Sequence, residues 1–124
     1  MPAQMREYEM AIDRYVVSSY TVKVSDTLTA IWSGTQIKAR GILVCHGPDK
    51  QRLIFYFLTD DSPVPAPVYK PTTKVGAVFL PFDQMPPYVD LVRNERPIYA
   101  YMNSDRAEWN NISSGHEPVG EEET

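Results

Sequence analysis

The sequence predicts a mainly β protein (α+β by count), built as a curled antiparallel sheet or a small β-barrel of about five to six strands, with one short helix between the last two strands. Runs in which apolar and polar residues alternate, typical of half-buried strands, recur between residues 16 and 58. Clusters of Gly, Pro and Asp separate these runs, as expected for turns. One later stretch, around residue 90, instead has apolar residues at helical spacing.

The length and composition indicate one globular domain. Of 124 residues, 43% are hydrophobic and 23% are charged. We predict a single β-rich domain over residues 1–112 and a flexible acidic tail over 113–124, because the tail has no apolar periodicity. Residues 1–116 hold 12 of the 16 acidic residues and all 12 lysines and arginines. The body is therefore neutral, which disfavours a nucleic-acid-binding surface.

Two consecutive hairpins are predicted over residues 16–58. In the first, alternating strands pair on either side of a turn at Ser33-Gly34-Thr35. In the second, the strand over 36–46 pairs with a strand over 52–58 through Gly47-Pro48-Asp49, whose residue types favour a turn.

The only cysteine, Cys45, stands beside one of the two histidines, His46. Consecutive side chains of a strand point to opposite faces, so these two cannot form a nucleophile and its base. Cys45 has the same parity in the strand as Ile37, Ala39 and Leu43, and we predict a buried structural thiol. A single cysteine cannot form an internal disulfide, which fits a reducing cytoplasm.

The second half of the chain opens with a Pro-rich stretch that has four prolines between residues 62 and 72. It fits a stiff connector or a ligand for an aromatic groove, and we expect the connector. We then predict a strand over 74–82, a helix over 84–94 with Asp83 as its N-cap, and a strand over 97–104. The first dozen residues fit either a short helix or an edge strand.

No motif for catalysis, metal binding or cofactor binding is found in the sequence. It has no glycine-rich phosphate loop and no GxSxG elbow, and its two histidines and one cysteine lack metal-ligand spacing. We interpret Asp60, Asp61, Asp83, Asp90 and Glu95 as loop and helix-end residues rather than as general acids. We therefore expect a protein that is not an enzyme and that binds no cofactor and no metal.

The sequence also predicts a cytoplasmic location. Its longest uninterrupted apolar run, 53–58, is far shorter than the roughly 20 residues that cross a bilayer. Residues 1–14 carry charges and no apolar run typical of a signal peptide. We expect no membrane partner.

Aromatic residues near the predicted last strand form a candidate protein interface. Tyr99 and Tyr101 share one face of that strand, and Tyr88 and Trp109 lie near them in sequence. Tyr and Trp are favoured in interfaces because each joins a large apolar body to a polar tip. We predict that these four residues contact a protein partner or mediate self-association, for example as a homodimer. The alternative is that they are core residues beneath the helix.

A basic and aromatic face of the second hairpin is a candidate nucleic-acid site. Lys38, Arg40 and His46 share parity in the strand over 36–46. Small β-barrels bind single-stranded nucleic acid with basic and aromatic sheet faces of this kind. The contacts that this hypothesis names are Lys38, Arg40, Lys50, Arg52 and Tyr56. Because the body is neutral, nucleic acid is not the partner we expect.

The sequence as a whole favours a non-catalytic protein-interaction or assembly module. Two alternatives stay open: a small barrel that binds single-stranded nucleic acid, and a barrel that holds a small ligand in its interior. The last needs an open cavity inside the barrel.

Overall fold

Eight strands in two sheets and one α-helix form residues 10–115, the part of the chain that the computed structural model describes. The strands are β1 (Ile12–Val16), β2 (Ser19–Trp32), β3 (Thr35–His46), β4 (Arg52–Leu58), β5 (Val68–Lys70), β6 (Val75–Pro81), β7 (Ile98–Asn103) and β8 (Asn111–Ser114). The helix, α1, is Met85–Asn94, and single 3₁₀ turns cover Phe82–Gln84 and Ala107–Trp109. The predicted mainly β fold with one short helix is confirmed. The described residues form eight strands rather than the predicted five to six, and because both β7 and β8 follow α1, the helix does not lie between the last two strands.

The strands divide into a five-stranded sheet, ordered β2-β3-β4-β6-β5, and a three-stranded sheet, ordered β1-β7-β8. No closed barrel is found among residues 10–115. Neighbouring strands are antiparallel except β4 and β6, which run parallel. This pair departs from the expected antiparallel pattern because a further strand, β5, forms within the Pro-rich stretch and runs in the direction opposite to β4 and β6.

Both predicted hairpins are confirmed. Trp32 pairs with Thr35 across Ser33 and Gly34, and both turn residues have positive φ, as the commonest two-residue hairpin turn requires. Strands β3 and β4 pair in an antiparallel register that begins at His46 and Arg52.

The predicted helix is confirmed, but its predicted N-cap is wrong. Gln84 occupies the cap position and makes no side-chain cap hydrogen bond, while Asp83 lies in the preceding 3₁₀ turn. A capping side chain accepts a hydrogen bond from the second or third helical N–H. Those positions are Pro86 and Pro87, which have no N–H to donate.

A β-bulge in β3 changes which residues share a face. The register with β4 shifts between Ala39 and Gly41. As a result Ile37 packs in one apolar cluster and Cys45 in another, although the two have the same parity. The interpretation that Cys45 shares a face with Ile37 and Ala39 is therefore wrong, because one extra residue exchanges the two faces of a strand. Burial of Cys45 is confirmed, with 0% of the residue exposed.

Two apolar clusters cover opposite faces of the five-stranded sheet, since alternate residues of β4 belong to one or the other. The helix-side cluster fills the space between this sheet, α1 and the three-stranded sheet. Its largest fully buried members are Leu43, Leu53, Phe55, Phe57 and Met102. One face of the three-stranded sheet therefore packs against this cluster, and its other face points away from the core.

The second cluster lies under the end of the β2–β3 hairpin. Trp32 of β2 contacts Tyr56 and Phe79, with ring centroids 5.9 and 6.1 Å apart, and the Nζ of Lys70 in β5 lies 5.1 Å from its ring centroid. In a flat sheet β2 and β5 would stand roughly 19 Å apart, at about 4.8 Å per strand. The Trp32 ring nevertheless contacts side chains of β4, β6 and β5 on this face of the sheet.

At the C-terminal end, Ser113 and Ser114 of the predicted tail belong to β8. The rest of the predicted acidic tail, residues 116–124, lies outside the described residues, as do residues 1–9. Of the first dozen residues, 10–12 are described, and Ile12 begins β1, an edge strand of the smaller sheet. Between residues 10 and 115 no helix is long and apolar enough to cross a membrane.

Candidate functional site

The outward face of the three-stranded sheet carries a surface groove of about 640 Å³, called the aromatic groove below. Its lining residues are Arg14, Tyr99, Ala100, Tyr101, Trp109, Asn111 and Ser113. Three of the four residues predicted to form a protein interface thus lie together, and all three are aromatic.

Strand register explains how the groove is assembled. Tyr101 of β7 pairs with Arg14 of β1 on one side and with Asn111 of β8 on the other, so these three side chains form a row across the sheet. Because side chains alternate, Tyr99 and Tyr101 project outward, while their neighbour Ala100 is buried on the inner face with 1% exposed. The two tyrosines that share parity in the sequence therefore share a surface.

Four residues of the groove were not predicted from the sequence: Arg14, Ala100, Asn111 and Ser113. Arg14 is the charged one among them. Its guanidinium carbon lies 5.1 Å from the centroid of the Tyr101 ring, within the range of a cation–π contact. The signal was present in the alternation of β1, where Asp13 and Tyr15 point inward and Arg14 outward. What the sequence did not contain was the pairing of β1 with a strand more than 80 residues away.

The groove has large apolar side chains open to solvent. Trp109 is 54% exposed and Tyr99 is 42% exposed, and Val16, which pairs with Tyr99, is 49% exposed. Exposed apolar patches on a folded domain commonly mark a binding surface. Aromatic residues and arginine, which lie side by side in this groove, are the residue types that contribute most to protein–protein binding.

Two buried asparagines hold the loop that presents Trp109. The Asn103 Oδ1 accepts hydrogen bonds from the backbone N–H groups of Asp105 and Arg106, at 2.9 and 2.8 Å. The Oδ1 of Asn110 accepts one from the Asn103 N–H at 2.9 Å, and its Nδ2 donates to a carbonyl of β5 at 3.1 Å. Asn103 also donates to the Tyr101 hydroxyl at 2.9 Å, so one buried amide joins the loop to the groove.

The inner side of β1 is tied to the five-stranded sheet through Tyr15. Its hydroxyl donates to the Cys45 carbonyl at 2.5 Å and accepts from the Leu53 N–H at 2.9 Å. Burial raises the pKa of this hydroxyl well above its usual range. Burial also raises the pKa of the Cys45 thiol to about 12, so the thiol stays protonated near neutral pH and lacks the thiolate that a nucleophile needs.

Tyr88 is the one predicted interface residue that lies elsewhere. Its ring packs against Phe55 and Phe57, with centroids 4.9 and 5.6 Å apart, between α1 and the five-stranded sheet. Tyr88 is itself a residue of α1 and is partly buried against the helix-side cluster, so its position fits the alternative of a core contact better than that of an interface. The other three residues project from the opposite side of the smaller sheet.

The residues named for nucleic-acid contact do not lie together. Lys38 pairs with Asp61 at 3.2 Å, and Arg40 stacks over Phe82 with 4.8 Å to the ring centroid. Lys50 and Arg52 lie at the other end of the β3–β4 hairpin. Tyr56 is buried, with 8% exposed, and its ring stacks on Phe79. The bulge in β3 also places His46 on the face opposite Lys38 and Arg40.

Two carboxylates of the described residues, Asp61 and Asp49, form surface ion pairs with Lys38 and Lys74. Hydrogen bonds from Thr59 and Lys38 lower the pKa of Asp61, and a hydrogen bond from Lys74 lowers that of Asp49. Within residues 10–115, no three His, Cys, Asp or Glu side chains are grouped so that they could hold a metal ion.

By its fold and surface the chain is a small mainly β protein with two sheets, one helix and an exposed aromatic groove. Comparisons with protein-family models, with curated proteins and with solved structures found no match to it.

Proposed function

We propose that this protein is a non-catalytic interaction module that binds a partner polypeptide in the aromatic groove. The observation that carries the proposal is the projection of Tyr99, Tyr101 and Trp109 from one outward sheet face beside Arg14. Rigid aromatic side chains supply large contact area at low cost in conformational entropy. Because the sheet and the buried asparagines hold them in place, little ordering is needed on binding.

The lining also indicates the chemistry of the partner. Arg14 is the one charged side chain among the lining residues of the groove. A guanidinium binds carboxylates through paired N–H groups, so a segment with a carboxylate next to apolar side chains fits this surface. A second copy of the chain is the self-association form of the same proposal.

Two finer features complete the proposal. The five-stranded sheet curls part of the way toward a barrel, supported by the contact between Trp32 and Lys70 at opposite edges of the sheet. The protein works in the cytoplasm, supported by its single, unpaired cysteine.

The proposal is tested by selecting peptides from a displayed random library on the purified full chain. Dissociation constants of the selected peptides are then measured by fluorescence anisotropy for wild type, Tyr99→Ala, Trp109→Ala and Ile31→Ala. Ile31 is the matched control, since it is 71% exposed but lies in the β2–β3 hairpin, away from the groove.

We expect at least about tenfold weaker binding for the two groove variants and no change for Ile31→Ala, since truncating a central aromatic contact commonly has an effect of this size or larger. Light scattering during size-exclusion chromatography tests self-association with the same variants. No enriched peptide together with a strict monomer, or peptides bound equally by all variants, contradicts the proposal.

A further inference from the structure

Strand β2 forms an open edge of the five-stranded sheet. It is 14 residues long and pairs with β3 on one side, and no described strand pairs with its other side. An edge strand presents a row of backbone N–H and C=O groups that can pair with another chain, and long open edges are usually blunted. This edge lies on a different sheet from the aromatic groove.

Apolar side chains of β2 point toward the helix. Tyr20, Val22 and Val24 pair with Cys45, Leu43 and Gly41, which face the helix-side cluster. They are 40%, 37% and 64% exposed, although they lie on the face that is covered elsewhere in the sheet. Two cavities of about 340 and 390 Å³ follow this row between β2 and α1. We name this surface, defined by Tyr20, Val22, Val24 and Val89, the strand–helix groove.

The rim of the strand–helix groove is acidic. Asp83 and Asp90 line its end near Val24, and Glu95 and Arg96 line its end near Tyr20. Among the lining residues of the two cavities, three carboxylates stand against one guanidinium, and a second guanidinium, that of Arg40, stacks over Phe82 at the end near Val24. A second copy docked edge to edge would bring two acidic rims together, which like-charge repulsion disfavours.

We propose that β2 binds an extended, basic segment of a partner protein by strand addition. The backbone of the segment pairs with the open edge of β2, its alternate apolar side chains enter the strand–helix groove, and its lysines or arginines lie near Asp83 and Asp90. In this mode main-chain hydrogen bonds supply affinity and pockets for alternate side chains supply specificity. The site is separate from the aromatic groove and does not depend on its function.

The probe is an eight-residue, fluorescein-labelled peptide in which valine and threonine alternate between terminal lysines. A second peptide has glutamates in place of the lysines. Binding to the full chain is measured by anisotropy for wild type, for Val22→Asp, for the double variant Asp83→Asn with Asp90→Asn, and for Lys23→Ser. Lys23 is the matched control because it neighbours Val22 on the same strand and points to the opposite face.

We expect the lysine peptide to bind wild type and Lys23→Ser alike. We expect Val22→Asp and the double variant to bind it at least about tenfold more weakly, a loss typical of a disrupted apolar or charged contact. In amide NMR spectra of wild type the peptide should shift residues 19–25. The proposal is overturned by no binding of the lysine peptide, by equal binding of the glutamate peptide, or by shifts confined to Tyr99 and Trp109. It is equally overturned if light scattering shows a dimer that Val22→Asp dissociates, since a second copy would then occupy the edge.

Discussion

The guanidinium of Arg14 lies over the ring of Tyr101, 5.1 Å from its centroid, across the pairing of β1 with β7. The contact joins the N-terminal strand of the described chain to its penultimate strand on the face that is open to solvent. Because both side chains are partly exposed, the contact adds little to the stability of the fold.

We expect replacement of Arg14 to weaken binding while changing the stability of the fold only slightly. Arg14→Gln keeps a long polar side chain but removes the charge, so the free energy of unfolding should fall by less than about 1 kcal/mol. Binding of selected peptides that contain a carboxylate should weaken by at least about tenfold. Urea unfolding and anisotropy measure the two effects. A large loss of stability with unchanged binding would make Arg14 a structural residue only.

Removing the Tyr15 hydroxyl is expected to destabilise the fold. In Tyr15→Phe the Leu53 N–H loses its buried acceptor and the Cys45 carbonyl loses a donor. We expect the free energy of unfolding to fall by about 1–3 kcal/mol, the usual effect of leaving a buried polar group without a partner. Urea unfolding measures it, and Tyr20→Phe, whose ring is 40% exposed, is the control expected to stay near wild type.

Stability is expected to fall at high pH. The pKa of Cys45 rises from 9.0 to about 12 on folding, and that of Tyr15 rises from 10.0, both because of burial. Below pH 9 both groups are protonated in the folded and unfolded chain, so the stability is fully present. Above pH 9 the unfolded chain loses protons that the folded chain keeps, so the free energy of unfolding falls as pH rises toward 12.

Unfolding in urea at pH 7, 9, 10 and 11 measures this dependence. Each group adds a slope of up to about 1.4 kcal/mol per pH unit once its unfolded form is ionised. In Cys45→Ala the decline should be shallower between pH 9 and 10. An unchanged profile in that variant would show that the thiol does not control the stability in this range.

Gly47 is expected to resist substitution because of close packing. A Cβ at this position would lie 2.5 Å from Cδ2 of Tyr15, on a ring that cannot move without breaking the Tyr15 hydrogen bonds. We expect Gly47→Ala to lower the free energy of unfolding by about 1–3 kcal/mol. Gly34→Ala is the comparison: no atom lies near its Cβ, and its cost should come from its φ of +79° alone. The double variant Gly47→Ala with Tyr15→Phe tests whether the cost of Gly47→Ala comes from displacing the Tyr15 side chain. If it does, the double variant should lower the free energy of unfolding by less than the sum of the two single variants, because both changes act on Tyr15.

Local patterns in the sequence were enough to predict the hairpins and the helix. Alternation indicated β2 and the first part of β3, a continuous apolar run indicated β4, and turn residues placed the break at Gly34, because these signals act between neighbouring residues. Gly47 shows the limit of this reasoning. The turn that it opens takes its positive φ at Lys50, and Gly47 is required for the approach of Tyr15.

Features that depend on distant residues could not be predicted. The bulge between Ala39 and Gly41 reverses the faces of β3 without any mark in its alternation, so Lys38 and His46 separate. The Asn103–Asn110 hydrogen bond and the pairing of Arg14 with Tyr101 come from strand contacts that no local pattern encodes. Tyr99 and Tyr101 were predicted together because they share parity within one strand.

The most direct test of the aromatic groove is an amide NMR spectrum of the full chain, recorded with and without a selected peptide. If the groove is the binding site, the shifted signals concentrate in β7, in β8 and in the turn Ala107–Trp109, and Tyr99→Ala abolishes them at the same peptide concentration. Shifts in other parts of the chain that persist in Tyr99→Ala would contradict the account.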